Sequence, residues 1–377
     1  MIQDIEGIAI YRNIIKDEWD LNLEDKVREE MLELFDNTLD SFDSERVSLV
    51  EVARVIYLTA NSTLNLEATK AISKTMINSE THLDSFCNMV CCIADIETYK
   101  NVDLTIRLAE TFEDCFKEED FGAGWTQLMG NVYTSNPNFI NLTFDILSFS
   151  SQSSFNSQGR MFNFIDKIRN QDYSQDSLNS LSRTINVYGD SPYFEDIILT
   201  LSSTTHRSNN QVIRKGVSDV LYRFRNNPRV KYVINILKDG SNKGYTERLV
   251  KIFNNCPDLK DFDKENLKCY LSHINSDFHA EELCYQLPFK TINSLVTTYN
   301  LIMNIFDKGN LNLRDNAESV FYQTLNNKVA LGETDQEKIK IIDEWSANAY
   351  KLIIDNPGYF MCMVPSNKVN MQGVDAA

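Results

Sequence analysis

Residues 206–251 have the sequence HRSNNQVIRKGVSDVLYRFRNNPRVKYVINILKDGSNKGYTERLVK. Within it, Val217, Val220, Leu221 and Phe224 recur at the three- and four-residue spacing that places side chains on one side of a helix. This spacing predicts an amphipathic helix from Gln211 to about Asn226, with those residues and Ile213 facing the core. The same three- and four-residue spacing of apolar residues recurs along most of the chain and therefore indicates the fold class.

The quoted segment is also strongly basic. It holds eleven Lys or Arg against three acids, a local balance of +8, in a chain whose net charge is −17. The first 120 residues alone carry a net charge of −16. On the predicted helix we place Arg214, Lys215, Tyr222 and Arg225 away from the core, followed by Arg229 and Lys231 just beyond it.

These six residues are the candidate anion-binding site. A cationic face beside an aromatic ring is what binding to a phosphate backbone with base stacking uses. Three other interpretations stay open, because charged helix faces are common in folded proteins. The face is simply solvated, it pairs with acids of the first third of the chain, or it binds an acidic protein partner.

Glycine and proline are scarce, at 13 and 7 residues in 377, which favours helices joined by polar loops. No segment shows the alternation of a strand, and helix pairs recur about every 35–45 residues, the length of a two-helix repeat. We therefore predict an all-α fold, an elongated α-solenoid of HEAT- or armadillo-like helix pairs. A multi-helix globular bundle is the alternative.

The predicted organisation has four parts. Residues 1–147 form an acidic helical region, and residues 148–160, which contain SFSSQSSFNSQ, form a polar linker or a surface loop between packed helices. Residues 161–364 form a second helical region, and residues 365–377 form a disordered tail. Capping boxes are predicted at Ser48–Glu51 and at Thr334–Glu337, each before a helix.

The cysteine and histidine pattern gives little support for a metal. Cys269 and His273 share a predicted helix face, and Cys256, His279 and Cys284 lie nearby in sequence. The close Cys-x-x-Cys spacing of most structural zinc sites is missing among them, and buried cysteine behaves as a small apolar residue. We expect no metal and no cofactor, although zinc binding by these five residues stays open.

The sequence also lacks nucleotide-binding glycine motifs, the zinc-protease motif and the hydrolase nucleophile elbow. We therefore expect a non-enzymatic helical scaffold that binds a protein partner on its solenoid surface. The alternative is a nucleoprotein-like protein that binds nucleic acid through residues 206–251, and self-association stays open. No signal peptide or membrane span is expected, and eight scattered cysteines suggest reduced thiols, so the expected location is cytoplasmic.

Overall fold

A computed structural model of the chain describes residues 2–17, 25–43, 47–115, 122–135, 137–150, 155–169, 173–207, 211–274, 281–307 and 311–355. The secondary structure of this part of the chain is entirely helical, which confirms the all-α prediction. None of these helices is both long enough and apolar enough to cross a membrane. The predicted tail, residues 365–377, lies outside the described residues.

The chain divides into two compact units, residues 1–218 and 219–377. The helices that begin in the first unit are α1 (Ile2–Asp17), α2 (Asp25–Asp40), α3 (Leu49–Thr63), α4 (Leu66–Asn78), α5 (Leu83–Ile93), α6 (Val102–Cys115), α7 (Gly122–Ser135), α8 (Ile140–Ser150), α9 (Phe155–Arg169), α10 (Gln175–Tyr188), α11 (Phe194–Arg207) and α12 (Gln211–Arg223). The unit boundary falls within α12. Of the predicted linker, residues 148–150 end α8 and residues 155–160 begin α9, and these two helices pack against each other within the first unit. Residues 151–154 lie outside the described residues.

The remaining helices belong to the second unit. They are α13 (Val230–Lys243), α14 (Thr246–Asn255), α15 (Lys264–Cys269), α16 (Glu281–Cys284), α17 (Phe289–Asp307), α18 (Leu311–Val329) and α19 (Asp335–Asp355). A π-helical turn, Tyr270–Ile274, continues α15.

The first unit is organised by contacts between each helix and the helix two positions later. Every helix from α1 to α9 makes this contact, so one series of contacts joins the odd-numbered helices and another joins the even-numbered ones. The buried residues along both series are predominantly apolar and provide most of the unit's stability.

Buried hydroxyl groups hold the even-numbered helices in register. Thr75 on α4 donates to the carbonyl of Ala109 on α6 at 2.9 Å. Ser218 on α12 donates to the carbonyl of Ser180 on α10 at 2.8 Å, and Thr184 donates to the carbonyl of Ser218 at 3.0 Å. The partners are 34 to 38 residues apart, close to the repeat length expected from the sequence. These small side chains allow close approach of the helices, and the hydroxyls of Thr75, Thr184 and Ser218 each donate a hydrogen bond.

Asp145 on α8 connects three even-numbered helices. Its side chain is only 6% exposed, and its two oxygens accept from Arg107 on α6 and from Ser182 on α10. Arg107 also donates to the Asn141 side chain at 3.2 Å. A buried carboxylate requires partners of this kind, because an unpaired charge in the interior is strongly unfavourable.

In the second unit, side chains at the ends of helices also donate hydrogen bonds to backbone carbonyls further along the chain. Arg223, at the end of α12, donates to the carbonyl of Phe253 at 2.9 Å, and Asn255, at the end of α14, donates to the carbonyl of Tyr285 at 2.8 Å. Both bonds satisfy carbonyls close to the end of a helix, where the helix itself supplies no partner. In each of the two bonds, the donor and the acceptor residue are 30 positions apart in the sequence.

The predicted capping boxes have different outcomes. At the start of α19, the Glu337 carboxylate accepts from the backbone N–H of Thr334 at 3.2 Å, and Thr334 Oγ1 accepts from the N–H of Glu337 at 3.3 Å. The predicted box is thus confirmed, and these backbone bonds lower the pKa of Glu337. Ser48 precedes α3 as its N-cap, but its hydroxyl makes no capping bond, so that box is not formed.

We expect Asp145→Ala to lower the free energy of unfolding by roughly 2–3 kcal/mol, because Arg107 and Ser182 both lose an ionic partner in a largely buried place. Urea unfolding followed by circular dichroism measures the change. Asp166→Ala is the matched control, since Asp166 forms an i,i+3 pair with Arg169 and is 46% exposed. The control should change stability by less than about 0.5 kcal/mol, and equal effects of the two variants would contradict this role of Asp145.

Candidate functional site

Arg214, the first residue of the predicted anion-binding set, does not face solvent. Its side chain is fully buried, and its guanidinium carbon lies 5.0 Å from the centre of the Tyr173 ring. Burial lowers the pKa of Arg214 to about 10, which still leaves it charged at neutral pH. The prediction of a solvent-facing Arg214 is wrong because the buried stripe of α12 extends to this residue, four positions before buried Ser218.

Lys215 forms an ion pair within the first unit. Its ammonium nitrogen lies 3.3 Å from a carboxylate oxygen of Asp176 on α10, and about a third of its side chain is exposed. The backbone N–H of Ser174, just before α10, also donates to Gln211 at 2.8 Å. Residue numbers rise together along the two helices, so α10 and α12 run parallel, and Lys215 takes part in their packing.

Tyr222 and Arg225 contact each other. The guanidinium carbon of Arg225 lies 4.2 Å from the centre of the Tyr222 ring, and its Nη1 donates to the Tyr222 carbonyl at 2.9 Å. In the predicted anion-binding site the cation would contact a phosphate and the ring would stack on a base. In the structure the cation covers a face of the ring, so a stacked base would have to displace it or use the other face.

Arg229 also serves the fold, whereas Lys231 lies on the surface. Arg229 Nη1 donates to the carbonyls of Leu259 and Phe262 at 3.1 and 3.0 Å. Lys231 is exposed and is followed on α13 by Tyr232, which is 51% exposed. Most of the six candidate residues therefore have structural contacts within their own unit, which weakens the interpretation of a dedicated anion site.

The cysteines considered for zinc are packed individually. Cys256 and Cys284 are buried, and the sulfur of Cys256 lies 3.6 Å from the Leu287 carbonyl. Burial raises the pKa of Cys256 to about 11 and also raises that of Cys269, which favours the thiol over the metal-binding thiolate. Among the described residues no three His, Cys, Asp or Glu form a metal-binding group. His279 and the side chain of His273 lie outside them.

A cleft between α5 and α7 was missed by the sequence analysis. Its volume is about 400 Å³. The described residues that line it combine amides, hydroxyls, two sulfur-containing side chains and a glycine, and none of them is charged: Ser85, Asn88, Met89, Cys92, Thr126, Gln127, Gly130, Asn131 and Thr134. This cleft, referred to below as the α5–α7 cleft, is a second candidate site.

The helical periods explain how these residues come together. On α5 the lining positions 85, 88, 89 and 92 follow one face, and on α7 positions 127, 130, 131 and 134 do the same. The three cysteines of α5 differ in their exposure. In the structure Cys87 is buried, Cys91 is half-buried and Cys92 is exposed. A glycine inside a helix, with Asn131 next to it and Gln127 three positions earlier, was the available signal.

Gly130 lies at the edge of the α5–α7 cleft and has no packing reason to be glycine. A Cβ placed there would meet nothing closer than Met89 Cγ at 3.8 Å, an ordinary contact distance. At Gly189, by contrast, a Cβ would lie 2.1 Å from the Phe149 ring. Gly130 therefore leaves space open in the cleft, at the cost of a residue that disfavours helix.

We expect Gly130→Ala to raise the free energy of unfolding by about 0.5–1 kcal/mol, because alanine favours helix and the added methyl group fits. Gly159→Ala on α9 should give a similar gain, since a Cβ there meets nothing within 4 Å. Gly189→Ala should destabilise the protein, because its Cβ would overlap the Phe149 ring. Thermal and urea unfolding of the three variants measure these changes, and a destabilised Gly130→Ala variant would contradict the geometry.

Comparisons of the chain with protein-family models, with curated proteins and with solved structures found no match. The chain's own residues therefore have to indicate the function, above all the basic residues with structural contacts and the α5–α7 cleft.

Proposed function

We propose that the protein is a non-enzymatic helical scaffold, an elongated α-solenoid that binds a protein partner on its surface. The observation that carries this proposal is the uninterrupted contact of each helix from α1 to α9 with the helix two positions later. Contacts of this kind are local in sequence and can be extended helix by helix, which is typical of two-helix repeats. Such repeats present a broad surface to other proteins.

The polar contacts along the even-numbered series add support. Thr75 with Ala109, and Ser180 with Ser218, join helices that are two positions apart at separations of 34 and 38 residues. A globular bundle, the alternative fold, does not require such a constant offset from one helix pair to the next. The near-constant offset therefore favours the repeat stack over the bundle.

The lining of the α5–α7 cleft favours binding over catalysis. In the part of the chain that the structure describes, this lining supplies carboxamides and hydroxyls but no imidazole, carboxylate or amine, the groups that most often transfer protons in active sites. The exposed Cys92 has no base among the residues that line the cleft with it. Neutral side chains that donate and accept hydrogen bonds are suited to holding a ligand.

Nucleic-acid binding through residues 206–251 is the alternative proposal, and the structure gives it less support. Arg214 is buried, Lys215 pairs with Asp176, and Arg229 donates to two backbone carbonyls. Reversing the charge of these residues would disturb packing as well as any binding. The exposed Lys231 and the Arg225 beside Tyr222 are therefore the residues to change when nucleic-acid binding is measured.

The test is affinity capture with the full chain, followed by reconstitution of the complex from purified components. We expect a defined protein that forms a stoichiometric complex, is unaffected by nuclease treatment and is retained by the Arg225→Glu/Lys231→Glu variant. Recovery of nucleic acid alone, lost in this double variant and weakening steeply with salt, would favour the alternative. Turnover of a small molecule without any protein partner would contradict the scaffold proposal.

A further inference from the structure

The α5–α7 cleft has two features of a binding site. The first is its volume of about 400 Å³, within the range of ligand pockets. The second is Gly130, whose missing side chain keeps part of that volume open without any backbone or packing requirement. Gly130 lies inside α7, and its backbone is not in the left-handed region that favours glycine.

The side chains that line the α5–α7 cleft indicate which class of ligand it can bind. Asn88 and Gln127 are exposed, and Asn131 is half-buried, so the carboxamides of these three residues border the cleft from both helices. Each carboxamide carries both donors and acceptors. A ligand that pairs with several of them should itself alternate donors and acceptors, as the main chain of an extended peptide does. Among the described residues that line the cleft, none offers a charge to a phosphate, carboxylate or ammonium group.

The floor of the cleft suits an apolar side chain. Met89 is buried on α5, and Gly130 faces it from α7, where a Cβ would come within 3.8 Å of its Cγ. Methionine is flexible and polarizable, and such side chains adapt to ligands of varied shape. The cleft therefore combines an adaptable apolar floor with an amide-rich rim.

We propose that the α5–α7 cleft binds an extended, uncharged segment of a protein partner, with the segment's main chain paired to Asn88, Gln127 and Asn131 and one apolar side chain placed against Met89 and Gly130. This inference rests on the proposed scaffold function and names the site through which the scaffold acts. A neutral segment fits because none of the described residues that line the cleft could form an ion pair with it.

The test selects short random peptides on the full chain by display, and then measures the affinity of the selected peptides for three proteins. These are the unchanged chain, Gly130→Leu, which fills the cleft, and Gly159→Leu, a helix glycine whose Cβ would meet nothing within 4 Å. Both substitutions favour helix formation, so both variants should fold.

We expect the selected peptides to be uncharged at their central positions. Gly130→Leu should weaken their binding by about tenfold or more, because the leucine occupies the space of the apolar side chain. Gly159→Leu should change the binding by less than about twofold, since Gly159 lies on α9 and is not among the lining residues. Side-chain amide resonances of Asn88, Gln127 and Asn131 should shift on peptide addition in the unchanged chain.

The outcomes distinguish this inference from the scaffold proposal. If the partner found by affinity capture binds Gly130→Leu as tightly as the unchanged chain, the scaffold function stands and the cleft is not the site. If selection yields no peptide, or yields only charged peptides that bind Gly130→Leu equally well, the cleft inference is overturned. If no protein partner is captured at all, the scaffold proposal fails independently.

Discussion

The contact between a helix and the helix two positions later is the constraint on which the first unit depends. It places the even-numbered helices side by side, so that Asp145 can reach Arg107 on one neighbour and Ser182 on the other. It also brings α5 against α7, and thereby creates the cleft lined by Asn88 and Gln127. The register of the even-numbered helices and the α5–α7 cleft therefore both depend on this contact. Shifting one helix against its partner would alter both.

The basic segment, residues 206–251, is explained largely by structural contacts. Long cationic side chains here satisfy carbonyls, as Arg223 and Arg229 do, or cover aromatic rings, as Arg214 and Arg225 do. Arginine is suited to both roles because its planar guanidinium has several donors and stacks on rings. An excess of positive charge in sequence thus need not mark a surface that binds polyanions.

The sequence predicted features that depend on near neighbours in the chain. The apolar period identified Val217, Val220 and Leu221 as buried, and the Thr334–Glu337 box formed because both partners lie within one helical turn. The sequence did not predict the burial of Arg214. The Tyr173 ring, against which the Arg214 guanidinium lies, precedes a different helix. The cleft was missed for the same physical reason: polarity along α7 does not tell which face meets α5.

Zero-length carbodiimide cross-linking of the intact chain, with the joined residues identified by mass spectrometry, measures this packing most directly. The reaction joins an amine to a carboxylate only when the two are in contact. The structure predicts a cross-link between Lys74 and Glu113, whose atoms lie 2.9 Å apart, and one between Lys215 and Asp176, at 3.3 Å. Cross-links of Lys215 to acids of residues 1–120 in place of Asp176 would contradict the packing described.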